Sequence, residues 1–176
     1  MSDEMEPILL IASPQMSDPM FRETVVLVWQ RDEEGAIGVV VNRSLEHRLL
    51  DVVEFDEEVD SERYGQTCIS WGGPVEGTTG TVVTTEDIRS EEGWRLACGL
   101  SITRSHDALS RFVSSGAPFL LCLGYAGWGR GSWTENWPTA AGFGRTAHLN
   151  FSSPFLHLRA TRWRWPHLVY RPIPSS

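Results

Sequence analysis

The sequence predicts one α+β domain, and three observations carry this prediction. Residues 24–29 and 36–41 are continuous runs of apolar, mostly β-branched side chains, which is typical of strands covered on both faces. The polar segment 31–35 between them ends in glycine and predicts a hairpin, so the two strands pair antiparallel. An amphipathic helix is predicted further along, because Ser105 suits its N-cap and Gly116 suits its end.

Shorter segments extend this core in both directions along the chain. The further predicted strands cover residues 8–12, 67–71, 81–84 and 118–123. Leucine and valine at helical spacing predict a short helix within 47–55, and the acidic residues 56–62 predict a solvated loop. Glycine-rich sequence predicts a turn at 76–80 and a tight aromatic loop at 124–129.

Charge is distributed unevenly along the 176 residues, whose net charge is −8. Residues 1–135 contain 10 arginines and 23 acidic residues, a net charge of −13, whereas residues 136–176 contain five arginines and no acidic residue, a net charge of +5. The chain has no lysine. An acidic body repels the phosphates of DNA and RNA, so we do not expect a nucleic acid as partner.

The sequence indicates a cytoplasmic protein. Its first residues are acidic and lack the basic and apolar regions of a signal peptide. No apolar run reaches the ~18 residues that cross a bilayer, so we expect no membrane partner. Cys68, Cys98 and Cys122 lie far apart without a C-x-x-C pair, which suits reduced thiols in the cytoplasm.

Motifs for familiar chemistries are absent from the sequence. Without lysine there is no Walker A motif, and no G-x-G-x-x-G opens a helix after a predicted strand. No His/Cys spacing suits a metal, and the adjacent pair His106 and Asp107 does not face one point on a helix. We therefore assign no catalytic residue, no metal ligand and no cofactor.

Four groups of residues together resemble the bacterial YqgE/AlgH family. They read LIASP at 10–14 followed by DPMFR at 18–22, EGAIGVVVNR at 34–43, GGPV at 72–75 and LGYAGWG at 123–129. Their order and spacing match over residues 8–132. The resemblance implies a mixed, mostly antiparallel sheet bent into a pseudo-barrel with a few flanking helices. It implies no established activity, although some members carry the label of transcriptional regulator.

The resemblance divides the chain into a YqgE/AlgH-like domain, residues 1–130, and an atypical tail, residues 131–176. The family continues with an acidic helix, whereas the tail loses its acidic residues after Glu135 and shows no helical period, which predicts an irregular C-terminal quarter. Read one base earlier, the codons of residues 133–138 become xTG, GAC, NGA, RAA, YTG and GCC. These encode Leu, Met or Val, then Asp, Gly or Arg, Glu or Lys, Leu and Ala. We therefore expect a frameshift near residue 131, with a divergent natural tail as the alternative.

A candidate recognition surface follows if the fold brings the loops that carry the resemblance together. Its residues are Asp18, Asn42, Arg43, Gly72, Gly73, Pro74, Tyr125 and Trp128. Each group has a structural alternative. The glycines can present N–H groups to an anion or make a turn, and Tyr125 with Trp128 can form a ligand shelf or close the end of the barrel.

The pair Asn42 and Arg43 is equally open to two interpretations. Arginine can clamp a carboxylate or phosphate; alternatively, Asn42 caps a turn and Arg43 pairs with Asp18. The sequence therefore favours a non-enzymatic binding or regulatory module with an unidentified protein or small-molecule partner. An enzyme with a small-molecule pocket at these loops and a transcriptional regulator are the alternatives.

Overall fold

A computed structural model describes residues 6–130 and the backbone of residues 143–146. The strands in this part of the chain are β1 (Ile8–Ala12), β2 (Val25–Asp32), β3 (Gly35–Val40), β4 (Ser44–Arg48), β5 (Cys68–Trp71), β6 (Val75–Thr84), β7 (Gly93–Arg95), β8 (Ser101–Thr103), β9 (Phe119–Gly129) and β10 (Phe143–Thr146). The helices are α1 (Leu49–Val52), α2 (Ser61–Tyr64) and α3 (His106–Ser115). No helix within the described residues is long and apolar enough to cross a membrane.

The strands form one curled, mostly antiparallel sheet, which confirms the predicted fold class. Its order is β10-β1-β2-β3-β9-β6-β8-β7, and β4 and β5 branch from β9. The pairing of β5 with β9 is parallel and the other pairings are antiparallel. Strand β9 is long enough to pair with both parts of the sheet, because β3 pairs with its end and β6 with its beginning.

The predicted hairpin is confirmed as β2 and β3, joined by a two-residue turn and paired from Val26 with Val40 to Asp32 with Gly35. Its strands are covered on both faces, as their apolar runs predict. Leu27 and Trp29 pack into one buried cluster, whereas alternate residues of the same strand pack into another. The period of two along a strand explains why every position in this run is apolar.

The core has three parts because the sheet bends over itself. The inner cluster joins side chains from β1, β2 and β3 to side chains from β6, β8 and β9, so it fills the concave face of a half-barrel. A second cluster lies where α3 covers the outer face of β6 and β9. The third lies on the outer face of β1, β2 and β3. Helix α3 has the predicted ends: the Ser105 hydroxyl accepts from the Ala108 N–H, and Gly116 has a φ of 73°.

Several segments differ from the sequence prediction. Residues 124–129 continue β9 instead of forming a loop, and the predicted turn at 76–80 lies within β6. The segment 47–55 holds only the four-residue helix α1, which follows β4. The predicted tail, residues 131–176, lies outside the described residues except for β10, whose backbone pairs antiparallel with β1.

Candidate functional site

The structure brings the four predicted loop segments together beside the junction of β3, β5 and β9. The Val40 N–H donates to the Gly72 carbonyl at 2.7 Å, and the Gly72 N–H donates to the Leu123 carbonyl at 2.7 Å. The ring of Phe21 lies 6.4 Å from that of Trp71 and 6.3 Å from that of Trp128. The four segments therefore lie close to one another, and their polar groups differ in whether they remain accessible to a partner.

Asn42 is used to hold the start of β2. Its Oδ1 accepts from the Val25 N–H at 2.7 Å, and its Nδ2 donates to the Glu23 carbonyl at 2.9 Å. The amide thus imitates a paired peptide group just after β3 ends. Glu23 has a φ of 62°, so this clamp fixes a backbone conformation that non-glycine residues rarely adopt. The structural interpretation of Asn42 is the one that the contacts support.

Arg43 clamps the loop before β2 and does not bind the carboxylate of Asp18. Its Nη1 donates to the Met20 carbonyl at 2.5 Å, and its Nη2 donates to the Arg22 carbonyl at 2.8 Å. The guanidinium carbon lies 4.9 Å from the centre of the Trp71 ring, a cation–π distance. Asp18 instead closes its own turn, since its Oδ1 accepts from the Met20 N–H at 2.8 Å.

Gly72 and Gly73 pack directly against the backbone of β9. A Cβ on Gly72 would lie 2.2 Å from the Gly124 carbonyl oxygen, and one on Gly73 would lie 2.1 Å from the Tyr125 carbonyl carbon. Because the Gly72 N–H is already bonded within the sheet, it cannot serve an external anion. The glycines therefore permit a close crossing of two backbones, and exposed Pro74 follows them into β6.

Tyr125 and Trp128 face opposite sides of the sheet. Gly124, with a φ of 74°, interrupts the alternation of β9. As a result, Tyr125 joins the inner cluster, while Ala126 and Trp128 join the cluster on the outer face. The two rings do not form one ligand shelf. Instead, Trp128 packs with Phe21 beneath the loop that Arg43 clamps.

Tyr125 has a neighbour that the sequence interpretation missed. The guanidinium carbon of Arg104 lies 5.0 Å from the Tyr125 ring centre and 5.9 Å from the Trp29 ring centre. A signal exists in the sequence, because Arg104 follows buried Ile102 by two positions and so falls on the same face of an extended chain. This signal can be used only if β8 is first recognised as a strand, and the three residues of β8 are too few to show a periodic pattern.

The titratable groups with shifted pKa values stabilise structure. Arg111 donates to both carboxylate oxygens of Glu92 at 2.7 and 2.6 Å, and these bonds lower the pKa of Glu92 to about 2 and raise the pKa of Arg111. Burial raises the pKa of the Cys122 thiol to about 12 and also raises the pKa of Cys98. Raised thiol pKa values oppose nucleophilic use of either cysteine.

Metal binding finds no support in the described part of the chain, where no three His, Cys, Asp or Glu side chains converge to hold an ion. The three cysteines carry free thiols. Around the predicted surface, the structure therefore shows a hydrogen-bonded loop that packs against aromatic rings.

Comparison with known proteins gives consistent results. A family model described as AlgH-like matches residues 9–136. A UPF0301 protein of Idiomarina loihiensis is 35% identical over 131 residues, which cover 72% of this chain and 71% of that protein. A UPF0301 protein of Xanthomonas oryzae pv. oryzae is 36% identical over 126 residues, which cover 70% of this chain and 67% of the relative.

Two solved structures share the fold. The solution structure of the AlgH protein from Pseudomonas aeruginosa has a TM-score of 0.66 at 29% identity, covering 80% of this chain and 76% of that chain. The crystal structure of protein DIP2367 from Corynebacterium diphtheriae has a TM-score of 0.61 at 20% identity, covering 85% and 78%, which is a likeness of fold alone. The resemblance predicted from four segments is confirmed: the chain belongs to the AlgH-like family.

Proposed function

We propose that this protein is a non-enzymatic binding module whose recognition element is the clamped loop, defined as residues 18–23. The observation that carries the proposal is Met20. Met20 is 44% exposed, although its N–H donates to the Asp18 carboxylate and its carbonyl accepts from Arg43. An exposed methionine is a common contact at protein surfaces that bind partners, because its side chain adapts to varied apolar partners.

The clamped loop is held in one conformation before any partner arrives. Arg43 bonds two of its carbonyls, and Asn42 bonds a third. The Phe21 and Arg22 N–H groups both donate to the Asp18 carbonyl, at 3.2 and 2.9 Å. A loop that is already ordered loses little conformational entropy on binding, so this rigidity supports a recognition role.

The surroundings of Met20 suit a protein partner. Exposed charges of both signs flank it, from Asp18 on one side to Arg22 and Glu23 on the other. An apolar centre with a polar rim is the usual anatomy of a protein interface. The acidic charge of residues 1–135 argues against a regulator that acts by binding DNA. The free thiols support the cytoplasmic location that we propose.

The enzyme alternative has less support. The most shifted carboxylate, Glu92, is paired with Arg111, and the two cysteines with shifted pKa values are less acidic than ordinary thiols. Catalytic groups usually have a pKa brought towards neutral pH, and these shifts run away from it.

A pair of matched variants tests the proposal. Met20 and Val52 are the large apolar side chains most exposed in the described residues, so Val52→Glu is the control for Met20→Glu. A photo-crosslinkable residue placed at exposed position 17, beside the clamped loop, captures partners in cells while Met20 stays in place. We expect a specific protein to be captured from position 17 and lost when Met20→Glu is added, while Val52→Glu retains it and both variants keep the wild-type melting temperature.

A third variant tests whether the order of the loop matters. Arg43→Lys keeps the charge but loses the planar fork that reaches two carbonyls, so we expect weaker capture together with reduced stability. Capture that is equal in wild type and Met20→Glu, or no specific capture by the wild-type protein, contradicts the proposal.

A further inference from the structure

Arg104 is an exposed residue at the edge of the inner face of the half-barrel. It follows β8 directly, and Ile102, two residues earlier, is part of the inner cluster. Its Nε donates to the hydroxyl of Thr81 at 3.3 Å, and Thr81 is fully buried. With the Tyr125 and Trp29 rings 5.0 and 5.9 Å from its guanidinium carbon, the side chain is directed inward by three contacts.

Within residues 6–130, the Nε is the nitrogen of this guanidinium that has a hydrogen-bond acceptor. Neither terminal nitrogen of Arg104 has a hydrogen-bond or ion-pair partner among the described residues, although the chain has an excess of acidic groups. By contrast, Arg95 pairs with Asp87 at 3.0 Å and Arg111 pairs with Glu92 at 2.6 Å. The Nε and the plane of the guanidinium thus position Arg104, and its two Nη atoms remain available to an acceptor from outside the described residues.

A second donor lacks an acceptor in the same cluster. Trp29 is 1% exposed, and its Nε1 is the one buried side-chain nitrogen or oxygen in the described part of the chain without a hydrogen-bond partner. The Trp29 ring lies under Arg104 and packs against Trp94 at 6.1 Å. Buried polar groups are nearly always paired in folded proteins, so the unpaired N–H of Trp29 indicates a missing acceptor. Arg104 is exposed, so its terminal nitrogens are solvated by water in the free protein and remain accessible to an acceptor that binds there.

We propose that Arg104 and the rings of Trp29, Trp94 and Tyr125 form a binding site for a small carboxylate carried on an aromatic or apolar body. The terminal nitrogens of arginine match the two oxygens of a carboxylate in a bidentate pair. The partly exposed rings of Trp94 and Tyr125 offer an apolar wall for the attached body. The site lies on the inner side of the sheet and uses none of the residues of the clamped loop, so it stands independently of the function proposed above.

Titration followed by ¹H–¹⁵N NMR tests this site with simple probes. Sodium benzoate is the ligand, and benzamide is its neutral counterpart of the same shape. We expect benzoate to cause saturable shifts of the Trp29 indole N–H and the Arg104 Nε–H, and benzamide to bind about tenfold more weakly or worse because it lacks the charge. Inorganic phosphate is titrated separately to distinguish a carboxylate site from a phosphate site.

Three variants identify the residue responsible. Arg104→Gln should weaken benzoate binding by about tenfold or more, and Arg104→Lys should restore it only in part because lysine lacks the planar fork. Arg89→Gln removes the same charge from another exposed position, outside both proposed sites, and should leave the affinity within about twofold of wild type. Melting curves of all three show that they fold.

Three results overturn the proposal. The first is equal binding of benzoate and benzamide, and the second is unchanged binding in Arg104→Gln. The third is phosphate binding that depends on Arg104 while benzoate gives no saturable shift, which replaces the carboxylate with a phosphate.

Discussion

Replacing Gly72 by alanine tests whether the glycine pair is a structural crossing or an open loop. The added Cβ would lie 2.2 Å from the Gly124 carbonyl oxygen and 3.0 Å from the Cys122 Cβ. The oxygen belongs to the backbone of the central strand β9, so it cannot rotate away as a flexible side chain would. Relief requires the segment after β5 to move about 1 Å away from β9.

The expected loss follows from what this movement breaks. The Gly72 N–H bond to Leu123 and the Val40 N–H bond to Gly72 are both 2.7 Å long and lie across the same crossing. Losing or stretching two backbone hydrogen bonds costs about 2 kcal/mol, and overpacking adds about 1–3 kcal/mol. We expect Gly72→Ala to lower the free energy of unfolding by about 3–5 kcal/mol, a large fraction of the stability of a domain this size.

Gly77 provides the matched control in β6. No atom lies within 4 Å of the Cβ that alanine would add there, and its φ lies outside the left-handed region. Gly77→Ala should therefore be neutral or stabilise by up to about 1 kcal/mol. Urea unfolding followed by tryptophan fluorescence measures both variants. A loss below about 1 kcal/mol for Gly72→Ala, or equal effects of the two substitutions, refutes the crossing argument.

Two further predictions concern the pH dependence of stability and the origin of the tail. Because Arg111 lowers the pKa of Glu92 from 4.5 to about 2, the folded state binds this proton less readily than the unfolded state, so the stabilisation is complete above about pH 4.5 and is lost as the pH falls towards 2. Because Arg111 is partly exposed, we expect Glu92→Gln to remove only about 1–2 kcal/mol of this pH-dependent stability in denaturant titrations. The control Glu91→Gln, at an exposed position, should leave the pH dependence intact. Identical pH profiles for wild type and Glu92→Gln would contradict the assignment. For the tail, nucleotide sequences of the gene in related strains should place residues 133–138 one base out of the ancestral frame; an intact reading frame that encodes the same residues would exclude the frameshift.

The elements predicted correctly are those whose determinants are local. The hairpin of β2 and β3 was predictable because a strand covered on both faces must be apolar at successive positions. Helix α3 was predictable because its caps, Ser105 and Gly116, act on peptide groups within a few residues. In both cases the residues that decide the structure are neighbours along the chain.

The errors in the prediction have two physical origins, contacts between distant segments and strands that are too short to show a pattern. The glycines at 124–129 indicated a loop. Gly124 instead permits a close backbone contact, because a Cβ added at this position would lie 2.4 Å from the Gly73 carbonyl oxygen. Strands β7 and β8 have three residues each, which is too short for a recognisable alternation. Contacts between residues about fifty positions apart cannot be inferred from the local pattern of a single sequence.

The candidate surface shows the same difference between local determinants and contacts between distant segments. Its loop segments lie close together, yet Tyr125 and Trp128 face opposite sides of the sheet. Arg43 bonds carbonyls 21 and 23 positions earlier, so it serves the loop and is not free for an anion. Arg104 passed unnoticed although its terminal donors are unoccupied in the described part of the chain. Residue type indicates what a side chain is able to bind, whereas only the packed structure decides whether its donors are already satisfied.

The amino-acid sequence by itself determined the acidic charge of residues 1–135, the buried hairpin, the capped helix and the family. These properties depend on composition, on the period of apolar residues and on the order of short motifs. The tertiary structure decided the curvature of the sheet, the crossing at Gly72 and Gly124, and the acceptors that the guanidinium groups of Arg43 and Arg104 find among the described residues. Those properties depend on contacts between segments far apart in the chain, because a hydrogen bond or a backbone crossing exists only after both partners have been brought within a few ångströms.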